Sequence, residues 1–412
     1  MKNYNVKISP SIARGRVTAP PSKSISHRAL ICAALADGES VISNLAFSQD
    51  VLATVDALTA IGARLEYLGE DSIKVTGISG KPRSLATLAC RESGSTLRFM
   101  IPICLLSTDG FKLTGSEKLL SRPLGIYGDL LAARFCGSDG KVLTLSPGDP
   151  IAAGEYRIPG NVSSQFITGL LFALPLCTGD SRIIVEGNFE SASYVALTVD
   201  TLAKFGINIT RECNTFFIKG NQKYTPANVA IEGDASNAAF FEALDLLGGS
   251  VMVDGLDPDS LQGDMVFKKH FDALKTRSSA PIDLSDCPDL APILFTVSAL
   301  CGGGCFTHTD RLRLKESDRI SAMKEELEKF GARIEVTDAL DGGTVRILPA
   351  ELHSPSVPLS SHNDHRIAMS LSILCLRFGG EIEGAGAVAK SMPDFFDKLE
   401  ALGAQITKTE TI

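Results

Sequence analysis

The chain has 412 residues, 44% of them hydrophobic and 21% charged, enough to bury the cores of two or three domains. Its formal net charge of −8 excludes a general nucleic-acid binder, so an anionic ligand has to be met by local clusters of Lys and Arg. No apolar run is long enough to span a bilayer and no charged-then-apolar leader opens the sequence, which predicts a cytoplasmic protein with no membrane partner. Cysteines such as Cys32, Cys104, Cys177 and Cys375 sit inside apolar helical patterns, as reduced, buried thiols do. Cys301 and Cys305 flank three glycines, but no histidine or further cysteine stands near enough to complete a zinc site.

In chain order, the first informative stretch is Pro20-Pro21-Ser22-Lys23-Ser24-Ile25-Ser26-His27-Arg28. The prolines end any strand, Ser22 is placed to cap, and the apolar run from Ala29 to Leu35 continues as a buried helix stopped at Gly38. Helical spacing sets Lys23 over His27 and Ser24 over Arg28. Free backbone N–H groups, hydroxyls and two cations would then share one small volume, which suits a phosphate or carboxylate.

The same unit returns: a small polar cluster, an apolar helix, a glycine stop, and a short β-branched strand. Its second opening is Glu92-Ser93-Gly94-Ser95-Thr96 and its third is Gly160-Asn161-Val162-Ser163-Ser164-Gln165. The fourth is Gly233-Asp234-Ala235-Ser236, the fifth Asp286-Cys287-Pro288-Asp289, and the sixth His362-Asn363-Asp364-His365-Arg366. Amphipathic helices are predicted after each strand, over Asp50 to Ile61, Pro123 to Ala133, Tyr194 to Phe205, Asp264 to Leu274, Asp318 to Phe330 and Pro393 to Leu402. Several end in a glycine, Gly62, Gly206, Gly331 or Gly403, where a left-handed cap is required. Openings recur about every 70 residues, and the fourth unit is about twenty residues shorter, as if it had lost a strand pair.

Units of this size cannot bury their apolar faces singly, so three-and-three grouping predicts an α/β protein, of α+β type, with two lobes and a cleft between them. Grouped helix N-termini would direct positive dipole ends at that cleft, a design for a polyanionic ligand. A solenoid scaffold would show no preference for charged residues at the openings. The openings instead carry Lys23, Ser24, Arg28, Arg98, Ser163, Ser164, Gln165, Asp289, Asp364, His365 and Arg366. Ser121-Arg122-Pro123 and the run Arg311-Leu312-Arg313-Leu314-Lys315-Glu316-Ser317-Asp318-Arg319 add further charge. Alone, that run also reads as the solvated start of an amphipathic helix.

These strings, together with Lys390-Ser391-Met392-Pro393-Asp394, resemble over essentially the whole chain the 5-enolpyruvylshikimate-3-phosphate synthase family of enolpyruvyl transferases, in the same order. The resemblance implies two lobes of three βαβαββ-like units each, an inside-out α/β barrel. The first lobe would comprise residues 21–228, and the second 229–412 with segment 1–20 packed on it. It implies transfer of the enolpyruvyl group of phosphoenolpyruvate to the 5-hydroxyl of shikimate 3-phosphate, by addition and then elimination of phosphate, in aromatic amino-acid biosynthesis. Phosphoenolpyruvate would be held by Lys23, Gly94, Arg122, Gln165, Arg319, Arg366 and Lys390. Shikimate 3-phosphate would be held by Lys23, Ser24, Arg28, Ser163, Ser164, Gln165, Ser191, Tyr194, Asp289 and Lys315.

The catalytic set on this reading is Asp289, Glu316 and Lys23. Asp289 would be the base at the substrate hydroxyl, and Glu316 would deliver and recover the methyl proton. The cations would stabilise the developing carboxylate and the leaving phosphate. Lobe closure would exclude water. No metal or organic cofactor is expected, and the family is usually monomeric. His365 reads either as a proton relay or as a structural hydrogen-bonding residue, and His27 as structural.

Glu92, Arg311 and Phe99 depart from residues frequent in the family, where Asn, Asn and Pro are common. Gly94 implies inhibition by the herbicide glyphosate. Two other readings are a UDP-N-acetylglucosamine enolpyruvyl transferase and an inactive binding protein on the same fold. The first normally carries a reactive Cys or Asp in the loop after its second opening, and Gly115 to Arg122 has neither. The second would be expected to lose Asp289, Glu316 or an arginine, and all are present.

Overall fold

Helices that are apolar all round belong in the interior, and the six opening helices are of that kind. The computed structural model describes residues 4–131, 134–138, 140–338 and 342–410. In chain order, β1 (Tyr4–Ser9) and β2 (Arg14–Thr18) precede α1 (Lys23–Leu35), β3 (Glu39–Ser43), α2 (Gln49–Ala60), β4 (Arg64–Tyr67) and β5 (Ile73–Thr76). The second repeat is β6 (Leu88–Ala89), α3 (Gly94–Cys104), β7 (Phe111–Thr114), α4 (Glu117–Leu120), α5 (Gly125–Leu130), β8 (Phe135–Ser138) and β9 (Val142–Leu145). The third is β10 (Glu155–Pro159), α6 (Ser164–Ala173), β11 (Ser181–Glu186), α7 (Ala192–Lys204), β12 (Ile209–Glu212) and β13 (Thr215–Ile218).

After β14 (Val229–Ala230) the fourth repeat has only α8 (Ala235–Glu242), β15 (Ser250–Asp254) and α9 (Phe267–Lys275). The fifth is β16 (Ile282–Asp283), α10 (Ala291–Cys301), β17 (Gly304–Thr307), α11 (Arg319–Glu328), β18 (Arg333–Thr337) and β19 (Thr344–Leu348). The sixth is β20 (Leu359–Ser360), α12 (His365–Phe378), β21 (Gly380–Glu383), α13 (Phe395–Ala401) and β22 (Gln405–Glu410).

The chain divides into two compact units, one of residues 21–232 and one of 1–20 with 233–412. The second crossing thus falls after Glu232 rather than after residue 228, because Val229 and Ala230 pair in parallel with Ile42 and Ser43 of β3. Each unit has its own core. In the 21–232 unit the sheets run β14-β3-β5-β4, β6-β7-β9-β8 and β10-β11-β13-β12. In the other unit they run β16-β17-β19-β18, β20-β21-β1-β22 and the two-stranded β15-β2. Among the described residues each unit holds three sheets around buried helices.

One order recurs: a short strand parallel to the strand that follows the opening helix, then two antiparallel strands. The fourth repeat lacks the antiparallel pair, as its shorter sequence predicts. The strands that lead into α1 and α8 are exchanged. β2 precedes α1 in the chain but pairs with β15, and β14 precedes α8 but pairs with β3.

Alternating exposure along β10 and β11 marks sheets with one face inward, while α10 is buried on all sides from Ala291 to Ala299. Gly62, Gly206, Gly331 and Gly403 all have positive φ just past their helices, as the cap requires. The helix expected over Pro123 to Ala133 is shortened to α5, and Ala132 and Ala133 lie outside the described residues. Gly125 and Gly128 leave that stretch with little helix propensity.

Candidate active site

In the 21–232 unit, the functional side chains collect at helix N-termini. Ser22 occupies the cap position of α1 with extended backbone, but its side chain makes no capping bond; its carbonyl instead accepts from Ser26 Oγ at 2.8 Å. The first opening's two cations turn to different partners. Lys23 Nζ pairs with Asp50 at 2.9 Å, whereas Arg28 is buried. Arg28 Nε donates to Thr198 Oγ1 at 2.8 Å, Nη1 to the Ser24 carbonyl at 2.6 Å, and Nη2 to the Tyr194 carbonyl at 2.9 Å.

Burial pulls the Arg28 guanidinium down to about 10, with Tyr194 and Cys32 opposing, so it stays charged near neutral pH. Phe99 lies under it, 5.5 Å from ring centroid to Cζ, which accounts for an aromatic residue at that departure from the family pattern. His27 is buried. Burial, then Lys23 and Arg28, push its imidazole well below the ordinary range, and Nδ1 bonds Thr54 Oγ1 at 2.7 Å. Thr54 meets Thr96 at 2.7 Å, and Thr96 donates to Ser93 Oγ at 2.8 Å.

Gly94 opens α3, with Ser93 capping through Thr96 N at 3.2 Å. A Cβ at Gly94 would stand 3.0 Å from Arg122 Nη1, 3.0 Å from Arg98 Nη1 and 3.6 Å from Gln165 Oε1. Gln165, in the first turn of α6, accepts from Arg98 Nη1 at 2.7 Å and donates to Ser95 Oγ at 3.0 Å. The structure thus brings Gly94, Arg122 and Gln165 together and adds Arg98 and Ser95, which the expected site omitted. Ser163 caps α6 through Gln165 N, with Ser164 buried beside it. Ser191, buried at the start of α7, adopts a left-handed conformation with φ 55°. Such conformations persist where the surroundings over-determine them, commonly at ligand sites.

The other unit assembles an ionic network on Asp289. Its Oδ1 accepts from Lys315 Nζ at 3.3 Å and Arg319 Nη1 at 3.0 Å, and its Oδ2 accepts from Arg366 Nη2 at 3.0 Å. Arg319, 1% exposed, also donates Nε to Asp364 at 2.9 Å and Nη2 to Glu316 at 2.8 Å. Burial disfavours charge on Arg319, yet Asp364, Glu316 and Asp289 outweigh it and raise its guanidinium above the ordinary range. Asp364 is likewise held below the carboxylate range against the effect of burial, chiefly by Arg319. Lys315 moves the other way, since burial lowers its ammonium more than Asp289 raises it. Arg366 reaches Ser236 Oγ at 2.9 Å, and Lys390 Nζ reaches the Asn363 carbonyl at 2.5 Å. Asp50, Thr54, Ser236 and Asp364 therefore support the expected residues without having been expected among them.

One carboxylate with three cationic donors, beside a second carboxylate on the same arginine, can exchange protons with a hydroxyl or a methyl group while the cations balance charge. Two guanidiniums and an amide that converge beside a glycine offer the donors that a carboxylate or phosphate requires.

A family model described as EPSP synthase (3-phosphoshikimate 1-carboxyvinyltransferase) matches residues 9–399. A curated 3-phosphoshikimate 1-carboxyvinyltransferase of Clostridium acetobutylicum is 40% identical over 423 residues, covering 97% of this chain and 98% of that protein. One of Clostridium novyi is 40% identical over 433 residues, covering 98% of each. The solved EPSP synthase of Acinetobacter baumannii superposes with a TM-score of 0.78 at 22% identity, covering 99% of this chain and 100% of that one. The enolpyruvyl transferase NikO of Streptomyces tendae gives 0.78 at 16% identity, covering 100% of both chains, a likeness of fold. By the span of the family model and the identity to these relatives, the chain belongs to the EPSP synthase family.

Proposed function

We propose that the protein transfers the enolpyruvyl group of phosphoenolpyruvate to the 5-hydroxyl of shikimate 3-phosphate, releasing phosphate. The observation that carries this reading is Gly94, whose missing side chain leaves open the point on which Arg98, Arg122 and Gln165 converge. Phosphoenolpyruvate is assigned to Lys23, Gly94, Arg122 and Gln165 of the 21–232 unit and to Arg319, Arg366 and Lys390 of the other. Shikimate 3-phosphate is assigned to Lys23, Ser24, Arg28, Ser163, Ser164, Gln165, Ser191 and Tyr194, with Asp289 and Lys315. Arg28 supports this assignment in two ways, by its charge and by its bonds to the Ser24 and Tyr194 carbonyls.

In the addition step the 5-hydroxyl oxygen bonds to C2 of phosphoenolpyruvate, Asp289 accepts the hydroxyl proton, and Glu316 gives a proton to the methylene carbon. In the elimination step Glu316 takes a proton back from the new methyl group, the double bond re-forms, and the C2–O bond to phosphate breaks, the departing phosphate taking the proton that Asp289 accepted. Lys23 and the arginines stabilise the carboxylate and the departing phosphate. Arg319 contacts both Asp289 and Glu316, so it can balance charge as the proton load moves between them. We further propose that the protein acts as a monomer in the cytoplasm; no described helix is long and apolar enough to cross a membrane. Light scattering on the purified protein measures the first of these directly.

The test of function is phosphate release from phosphoenolpyruvate with shikimate 3-phosphate, beside an arm with UDP-N-acetylglucosamine. Release only with shikimate 3-phosphate, lost in Lys23→Ala, is expected. Release only in the UDP arm, or in neither arm from folded protein, overturns the reading.

A further inference from the structure

The turn that leads into α12 holds two successive non-glycine residues in the left-handed region, His362 at φ 48° and Asn363 at φ 53°. Such a pair is maintained only where neighbours fix it, and the chief neighbour is Glu326 of α11, which has no exposed surface. Its Oε2 accepts from the Ser360 N–H at 3.0 Å and its Oε1 from His362 Nε2 at 2.8 Å. Lys329 Nζ lies 2.9 Å from each oxygen and also donates to the Pro358 carbonyl at 3.3 Å. One carboxylate thereby fixes the strand β20 and the turn after it at several points. The residues that follow are those of the ionic network: the Asn363 carbonyl accepts from Lys390 Nζ, and Asp364 accepts from Arg319.

We propose that Glu326 is a positioning residue for phosphoenolpyruvate: through Ser360 and His362 it holds the turn at 362–363 so that the Asn363 carbonyl orients the Lys390 ammonium. This rests on the assignment of Lys390 to phosphoenolpyruvate made above. Glu325, Glu326 and His362 also bring their donor atoms within 4.8 Å of one another. A divalent cation there would have to displace the Lys329 ammonium from both Glu326 oxygens, so the group reads as an anchor rather than a metal site.

The charged groups facing His362 are Glu326, Glu325 and Lys329. The hydrogen bond to Glu326, opposed by burial, raises the imidazole above its ordinary range. The ionic part of the anchor is therefore complete below the ordinary imidazole range and is lost as pH rises through the raised value. KM for phosphoenolpyruvate should climb across that window in the parent and not in His362→Gln. The substrate phosphates titrate alike with both proteins, so the difference between the two profiles isolates the histidine.

The experiment measures KM for each substrate in the full-length parent, Glu326→Gln, His362→Ala and Lys390→Ala, with circular dichroism to confirm folding. Glu326→Gln and His362→Ala are each expected to raise KM for phosphoenolpyruvate about tenfold, equivalent to about 1.4 kcal/mol, and to leave KM for shikimate 3-phosphate in place. An unchanged KM for phosphoenolpyruvate in both, while Lys390→Ala raises it, overturns the positioning role and leaves the Lys390 assignment standing. An unchanged value in Lys390→Ala itself overturns the assignment, and the positioning role with it. If Glu326→Gln does not fold, His362→Ala decides alone, since its side chain is partly exposed. Equal deterioration of both KM values and kcat would mark a general structural defect and also overturn the proposal.

Discussion

Gly94→Ala isolates the anion cradle of the 21–232 unit. Gly94 does not have positive φ and begins α3, so alanine fits the backbone and is favoured there by up to about 1 kcal/mol. The new methyl, however, would sit 3.0 Å from the guanidinium tips of Arg98 and Arg122, where ordinary contact begins near ~3.5 Å. Both tips belong to flexible side chains and can each yield by about 0.5 Å, at the expense of their aim at a ligand. A hydrogen bond to a charged group contributes about 1.5–3 kcal/mol; weakening one by half costs up to about 1.5 kcal/mol, or about tenfold in affinity. Steady-state kinetics should therefore show KM for phosphoenolpyruvate up about tenfold, with KM for shikimate 3-phosphate and the thermal midpoint little changed. Glyphosate should inhibit the parent and inhibit the variant less. An unchanged KM for phosphoenolpyruvate in folded protein would refute the reasoning, and so would a lowered midpoint, which would show that the methyl disrupts the helix rather than the cradle.

Asp289→Asn keeps the shape of the residue that accepts from Lys315, Arg319 and Arg366 but removes its basicity. Its kcat should fall by about 10²–10⁴-fold, and a smaller loss would transfer the base to another group. Glu316→Gln should slow exchange of solvent deuterium into the methylene of phosphoenolpyruvate more than it weakens binding, which mass spectrometry of recovered substrate measures. Asp364→Asn leaves the buried Arg319 without its fully buried partner and should destabilise the fold by about 3–5 kcal/mol. Because Asp364 is held below the carboxylate range, its contribution is present above the unfolded value near ~3.9 and disappears as pH falls through the folded one. Melting curves of parent and variant should converge on acidification, and a constant gap down to strongly acid pH would refute the assignment.

The repeats were legible because each opening breaks an otherwise apolar pattern with Ser, Asp or Gly at a helix start, and such local signals survive in sequence. The exchange of β2 and β14 was not, since each strand reads as the natural lead into the helix that follows it and only non-local pairing shows otherwise. Arg28 shows the same limit at the level of one side chain. Its spacing from Ser24 indicated a cation at the helix mouth, while the residues that bury it, Thr198, Tyr194 and Phe99, stand at distant positions that no local pattern links to it. Asp50 and Ser236 fall within ordinary helix starts and Glu326 near the end of the amphipathic α11, so nothing local distinguishes them from solvated residues. What distinguishes them is the partner: Lys23, Arg366 and the turn at His362–Asn363. Residues that touch a ligand tend to stand in polar clusters that interrupt secondary structure, because a helix N-terminus or a loop is where backbone and side chains are free to face it. Residues that hold those clusters in place lie inside regular elements, where their pattern is that of the element. A sequence therefore exposes its binding groups more readily than their supports, and Glu326, fully buried in α11, is the support whose removal separates the two most cleanly.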